Sequence, residues 1–168
     1  MAEHVTRFAS LDDYQKGTLE IIDDNPKSYT YSNMFDVASG SKPWEKVAVA
    51  KNMEYVLEVV RAEGISGWRI CSHDEFALVM DGEVEFRFVK PTDPSIVPAE
   101  TREGSIGLDG EPDGTRMGGV RARRGHMTLL PAGAAYRMQA DTPGVLLIQG
   151  IEGEDTQYRW AEICQTIA

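Results

Sequence analysis

The stretch Gly125-His126-Met127-Thr128-Leu129-Leu130-Pro131-Ala132-Gly133-Ala134-Ala135-Tyr136 decides the fold. Gly125, Pro131 and Gly133 bracket a short strand candidate, Met127–Leu130, and Tyr136 follows the last glycine. Outward from it, runs rich in β-branched and apolar residues occur at Val47–Ala50, Tyr55–Val60, Glu75–Met80, Glu83–Val89, Val145–Gln149 and Gln157–Cys164. Asp81-Gly82, between two of these runs, is a short-hairpin signal in which both central residues adopt positive φ. Many short strands separated by Gly- and Asp-containing turns predict an all-β sandwich or barrel. One segment departs from this rhythm. Lys90–Gly119 contains Pro91, Pro94, Pro98 and Pro112 with several glycines and acids, and it reads as a long surface excursion.

The spacing of Gly125–Tyr136 resembles the second sequence motif of the cupin superfamily, G-x5-P-x-G-x2-H-x3-N, at every fixed position up to the histidine, where this chain has Tyr136. The resemblance covers residues 55–150 and implies an all-β chain with a single cupin domain, a double-stranded β-helix or jelly-roll barrel. Residues 46–168 are assigned to that barrel and residues 1–45 to an N-terminal extension or arm.

The first cupin motif, G-x5-H-x-H-x3,4-E-x6-G, is half present. Glu75 and Gly82 keep the E-x6-G spacing, whereas the histidine positions fall on Arg69 and Cys71, or on Trp68 and Ile70 with the longer spacer. Alternate residues of a strand share a face, so H-x-H sends two imidazoles into a barrel, where they suit Fe(II) or Mn(II). Arg69, Cys71 and Tyr136 leave Glu75 as the sole standard ligand, and the Arg69 guanidinium opposes a bound cation. The sequence therefore predicts that this chain holds no metal. Glu75 is expected to pair with Arg69 inside the barrel, because buried carboxylates persist when paired or hydrogen-bonded, with Tyr136 offering its hydroxyl to the same cluster.

Composition bounds the partners. A length of 168 residues suits one well-buried domain, with 42% apolar residues and no low-complexity tract. A formal net charge of -10 argues against nucleic acid, and Arg121-Ala122-Arg123-Arg124 is too short a basic run to change that. Cys71 and Cys164 lack metal-type spacing and read as reduced thiols. The first residues lack the apolar core of a signal peptide, and no apolar run approaches the ~18–20 residues needed to span a bilayer, so a cytoplasmic protein without membrane contact is expected.

A closer resemblance runs along nearly the whole chain. Asn25-Pro26-Lys27-Ser28-Tyr29-Thr30-Tyr31-Ser32-Asn33, Cys71-Ser72-His73-Asp74-Glu75-Phe76, Gly125–Pro131 and Tyr158-Arg159-Trp160-Ala161-Glu162-Ile163-Cys164 together resemble the small subunit of two-subunit hydroquinone 1,2-dioxygenases. That resemblance implies a metal-free cupin paired, two chains with two, with a larger cupin-type subunit that holds a non-haem Fe(II). It implies ring opening of hydroquinone by O2 to 4-hydroxymuconic semialdehyde, a step in bacterial degradation of 4-nitrophenol and related phenols. No catalytic residue is then expected in this chain.

Trp68, beside the degenerate ligand positions, is the candidate to cover the flat face of hydroquinone across the subunit interface, with Trp44 and Trp160 as weaker choices. Tyr29, Tyr31, Met34 and Phe35 form an aromatic cluster that suits either an arm on the partner or an extra strand. Residues 11–22 suit a short helix or an arm. Two other readings stay open: a stand-alone small-molecule-binding or regulatory cupin, and a metalloenzyme using Glu75, His73 and His126.

Overall fold

A computed structural model of the chain describes residues 9–14, 33–99 and 104–159. Its spine is the longest strand, Ala135–Ile151, which is the last of nine (β9). Even-numbered residues of this strand, Tyr136, Met138, Ala140, Leu146 and Ile148, are buried in one inner cluster, as the two-residue period of a strand requires. β2 (Tyr55–Ile65) pairs antiparallel along one side of β9. Along the other side run β4 (Glu75–Asp81) and then β5 (Glu83–Pro91), also antiparallel.

This arrangement corrects the expected hairpin. Among the described residues no ladder joins β4 to β5; both instead follow β9, and the chain bends between them at Gly82. Only Gly82 of the Asp81-Gly82 pair has positive φ, at 77°. Asp81 is used otherwise: it accepts from the Leu11 backbone N–H at 3.0 Å and pairs with Arg124.

The remaining strands close the barrel. β1 (Lys46–Asn52) pairs with β2, β3 (Trp68–Ile70) with β9 and with β6 (Ile106–Leu108), β7 (Gly114–Arg123) with β5, and β8 (Met127–Leu130) with β4. The curled nine-stranded sheet is the all-β cupin fold. The Gly125–Tyr136 stretch forms the turn into β8, β8 itself and the turn into β9. Gly133 supplies the left-handed φ of 70° that this turn needs, and its N–H bonds the Cys71 carbonyl at 2.8 Å.

Lys90–Gly119 is not the loop its prolines suggested. It contains the end of β5, a 3-10 turn at Pro94–Ile96, β6 and the first half of β7. β7 escaped detection because it is an edge strand with almost no buried face. Its ladder with β5 holds it, assisted by Arg121 and Arg123 against Glu83 and Glu85. Gly119, which reads as a turn residue, lies so close to β5 that a Cβ would stand 2.8 Å from the Phe86 carbonyl oxygen.

Two of the three buried clusters among the described residues hold the two faces of the sheet. Inside are Val60, Ala77, Val79, Phe86, Leu130, Leu146 and Ile148, all at most 1% exposed. Burial of each large side chain stabilises the fold by about 1.5–3 kcal/mol. Outside, α1 (Met34–Ser39), N-capped by Asn33, lays Phe35, Val37 and Ala38 on Val47, Val59 and Val145. Met34 and Phe35 are thus helical and pack on this chain's own barrel; Tyr29 and Tyr31 lie outside the described residues. Leu11–Tyr14 is irregular, the rest of the expected 11–22 helix lies outside the described residues, and so does most of the expected Gln157–Cys164 strand. Gln157 makes one isolated bridge to Val47.

Candidate functional site

The inner faces of β1, β2, β4 and β9 bring charged side chains together at one end of the barrel. Lys46, Glu58 and Glu75 all occupy inward-facing positions and are at most 7% exposed. Lys46 Nζ lies 2.7 Å from Glu58 Oε2, donates to Ser105 Oγ at 3.3 Å and stands 3.8 Å from Glu75 Oε1. Thr156 Oγ1 donates to Glu58 Oε1 at 2.6 Å, and the Tyr136 hydroxyl donates to Glu75 Oε2 at 2.8 Å. Burial in this cluster, with the Glu75 charge beside it, raises the Tyr136 phenol well above its ordinary range.

The expected Glu75–Arg69 pair does not form. Arg69 donates to the Ser105 hydroxyl and carbonyl at 3.1 and 2.7 Å and to Asp155 at 2.7 Å. The residue leading into β6 and the segment after β9 deliver those acceptors, and neither was legible as a partner in sequence. Glu75 finds its cation in Lys46, whose position at the start of β1 carried no motif.

Cys71, His73 and Glu75 place potential ligand atoms within 4.8 Å of one another. The chemistry of this set does not fit a metal ion. The Ile151 N–H donates to His73 Nε2 at 3.3 Å, which leaves the ring proton on Nδ1, 3.1 Å from Cys71 Sγ. Burial, and the Glu75 charge after it, push the Cys71 thiol up to about 11. The Lys46 ammonium already faces Glu75. His126 sits on the β7–β8 turn, bonded to the Arg123 backbone, outside this group.

The four degenerate positions are thus gathered, but by hydrogen bonds and ion pairs. Arg69 and Tyr136 are cross-strand neighbours on β3 and β9; Tyr136 bonds Glu75; Cys71 lies beside His73 and Glu75.

Trp68 lies on the other face of β3 from Arg69, packed with Ile70, Val89 and Ala135 and only 6% exposed. The Arg137 guanidinium lies 5.2 Å from its ring centroid. Trp68 borders two hollows. One, of about 270 Å³, opens on the outer surface beside Arg87, Arg116 and Arg137. The other, of about 120 Å³, lies at the mouth of the barrel interior beside Trp44, Lys46, Arg69 and Tyr136. Trp160 lies outside the described residues.

Among solved structures, the chain is similar to a chain of hydroquinone 1,2-dioxygenase from Sphingomonas sp. TTNP3 with 4-hydroxybenzoate bound. The identity is 50% over 99% of this chain and 100% of that one, with a TM-score of 0.94. It is also similar to a chain of the hydroquinone 1,2-dioxygenase PnpCD in complex with Cd2+ and 4-hydroxybenzonitrile, at 48% identity over 99% of both chains and a TM-score of 0.91. A longer chain, from PnpCD in complex with Fe3+, matches at 13% identity over 86% of this chain and 39% of its own length. Its TM-score of 0.60 is a likeness of fold alone. No protein-family model matches the chain, and no curated protein matches it.

Proposed function

Because the chain belongs to the hydroquinone 1,2-dioxygenase family, we propose that it is the small, metal-free subunit of such an enzyme. Its partner is a longer cupin-type subunit that holds Fe(II), in an assembly of two small and two large chains in the cytoplasm. The assembly adds both atoms of O2 to hydroquinone and opens the ring to 4-hydroxymuconic semialdehyde. The observation that carries this reading is the interior of the barrel. Where a metal-binding cupin gathers ligands, this chain locks Lys46, Glu58, Glu75 and Tyr136 against one another. The two chain types seen among PnpCD structures, one matched end to end and one far longer, support a division of labour.

In this reading the chain contributes no catalytic residue. Its barrel, residues 46–168, supports the longer subunit, and the extension of residues 1–45 adds to that contact. Trp68 walls one side of the substrate pocket across the interface, where an indole edge suits a flat phenol. Among the described residues no helix is long and apolar enough to cross a membrane.

Co-expression with a longer cupin-type chain tests the proposal. Size exclusion should show one complex that cleaves hydroquinone, and separation of the chains should leave the iron with the longer one. A partner that cleaves hydroquinone equally well alone, or stoichiometric iron in this chain, overturns it.

A further inference from the structure

Trp68 borders the outer hollow from β3, a strand of only three residues, with Gly67 immediately before it. So short a strand does little to orient a large ring, and cross-strand neighbours decide its angle. Leu108 of β6 pairs with Trp68 on one side. On the other side, the antiparallel register of Arg69 with Tyr136, continued by one residue, sets Arg137 of β9 beside Trp68. The Arg137 guanidinium lies over the indole, 5.2 Å from its centroid.

Arg137 differs from the other two arginines at this hollow. Arg87 is bound by Glu85 at 2.7 Å, and Arg116 reaches Glu111 at 3.9 Å. Arg137 is partly buried and has no ion pair among the described residues. It stands directly opposite Arg87 across β5 and β9, an unfavourable like-charge arrangement unless each cation is otherwise engaged. Glu85 engages Arg87; the π face of Trp68 engages Arg137. A guanidinium suits that role, because it is planar, weakly hydrated and stacks on aromatic rings. With Ile70, Val89 and Ala135 packed around it as well, Trp68 is only 6% exposed. Its contact with anything in the hollow therefore depends on the angle at which the ring is held.

We propose that Arg137 is a positioning residue, whose guanidinium holds the Trp68 indole at the angle at which that ring meets substrate across the subunit interface. This inference rests on the reading that Trp68 walls the substrate pocket. Arg137 acts through the indole alone, so its effect on the reaction exists only while the ring is present.

Steady-state kinetics of the assembled enzyme test this. Arg137→Met keeps an unbranched stem and removes the cation. It should raise KM for hydroquinone roughly two- to fivefold, the worth of one cation–π contact near the surface, with little change in kcat. Arg137→Lys should restore part of that loss. In a Trp68→Ala background, Arg137→Met should change KM no further, since coupled residues are non-additive. An equal rise with and without the ring, or no rise where Trp68→Ala raises KM, overturns the proposal alone. An unchanged KM in Trp68→Ala overturns the reading beneath it, and the proposal with it. A second readout needs no partner subunit. In the full chain labelled with 5-fluorotryptophan, the Trp68 fluorine resonance, assigned by its loss in Trp68→Phe, should move in Arg137→Met and less so in Arg137→Lys. Melting curves report whether each variant is folded. A resonance unmoved in folded Arg137→Met means that the guanidinium does not hold the ring, and overturns the proposal.

Discussion

Tyr136 donates its hydroxyl proton to Glu75 Oε2 across 2.8 Å inside the barrel, and neither residue is more than 1% exposed. The tyrosine occupies the place of a metal-binding histidine, and the glutamate is the one standard ligand that survives. The carboxylate that would hold a cation is held instead by a neutral donor and the Lys46 ammonium.

Tyr136→Phe removes that donor and leaves Glu75 Oε2 buried without it. The expected cost is about 1–3 kcal/mol. In a chain of this size each kcal/mol lowers Tm by roughly 2–4 °C. Urea denaturation measures it, and an unchanged midpoint would mean that the hydroxyl does not hold Glu75 in place.

Lys46→Met should cost more, about 3–5 kcal/mol, because it strands buried Glu58 and leaves Glu75 without its nearest cation. Lys46→Met combined with Glu58→Met should be less destabilised than the sum of the single variants. A double-mutant cycle on denaturant midpoints reads the coupling; additive effects would show that the ion pair contributes nothing of its own.

The alkaline side of the stability profile should be steep. Burial holds protons on both Cys71, up to about 11, and Tyr136, well above its ordinary range. Both folded-state values exceed the unfolded ones, near roughly 8.5 for a thiol and 10 for a phenol. The stabilisation is therefore complete below those unfolded values and is lost as pH rises through the folded ones. Denaturant midpoints from pH 7 to roughly 11 should fall, less so in Cys71→Ala. In a Cys164→Ser background the remaining thiol should react with a disulfide reagent only as fast as the chain opens. Rapid labelling of the native chain at pH 8 would contradict the buried, protonated state.

Trp68→Ala, in the assembled enzyme, should raise KM for hydroquinone roughly two- to tenfold, the range of one aromatic contact. Size exclusion should show the assembly intact. An unchanged KM removes Trp68 from the substrate pocket and leaves it as the platform of Arg137.

Runs of β-branched and apolar residues made β1, β2, β4, β5 and β8 readable; β4, β5 and β8 bury one face in alternation, whereas β1 and β2 bury residues on both. β7 has almost no buried face, and β3 and β6 are three residues each, so none carried a pattern strong enough to see. The charged cluster left a partial trace. Glu58 shares its strand face with Val56 and Val60, both 1% exposed, and a charge at such an inward position announces a buried partner without naming it.

The sequence by itself determined the barrel and the absence of the histidines. The turn spacings of Gly125–Tyr136 and the alternation of apolar residues are local properties of the chain. Only the tertiary structure decided which cation meets Glu75. Lys46, Glu58, Ser105, Tyr136 and Asp155 come from separate strands and connections, and the curl of the sheet brings them together. It also assigned Arg69 to Asp155 and turned Trp68 to the opposite face of β3. A charge selects its partner by distance after folding, and no spacing along the chain records that distance.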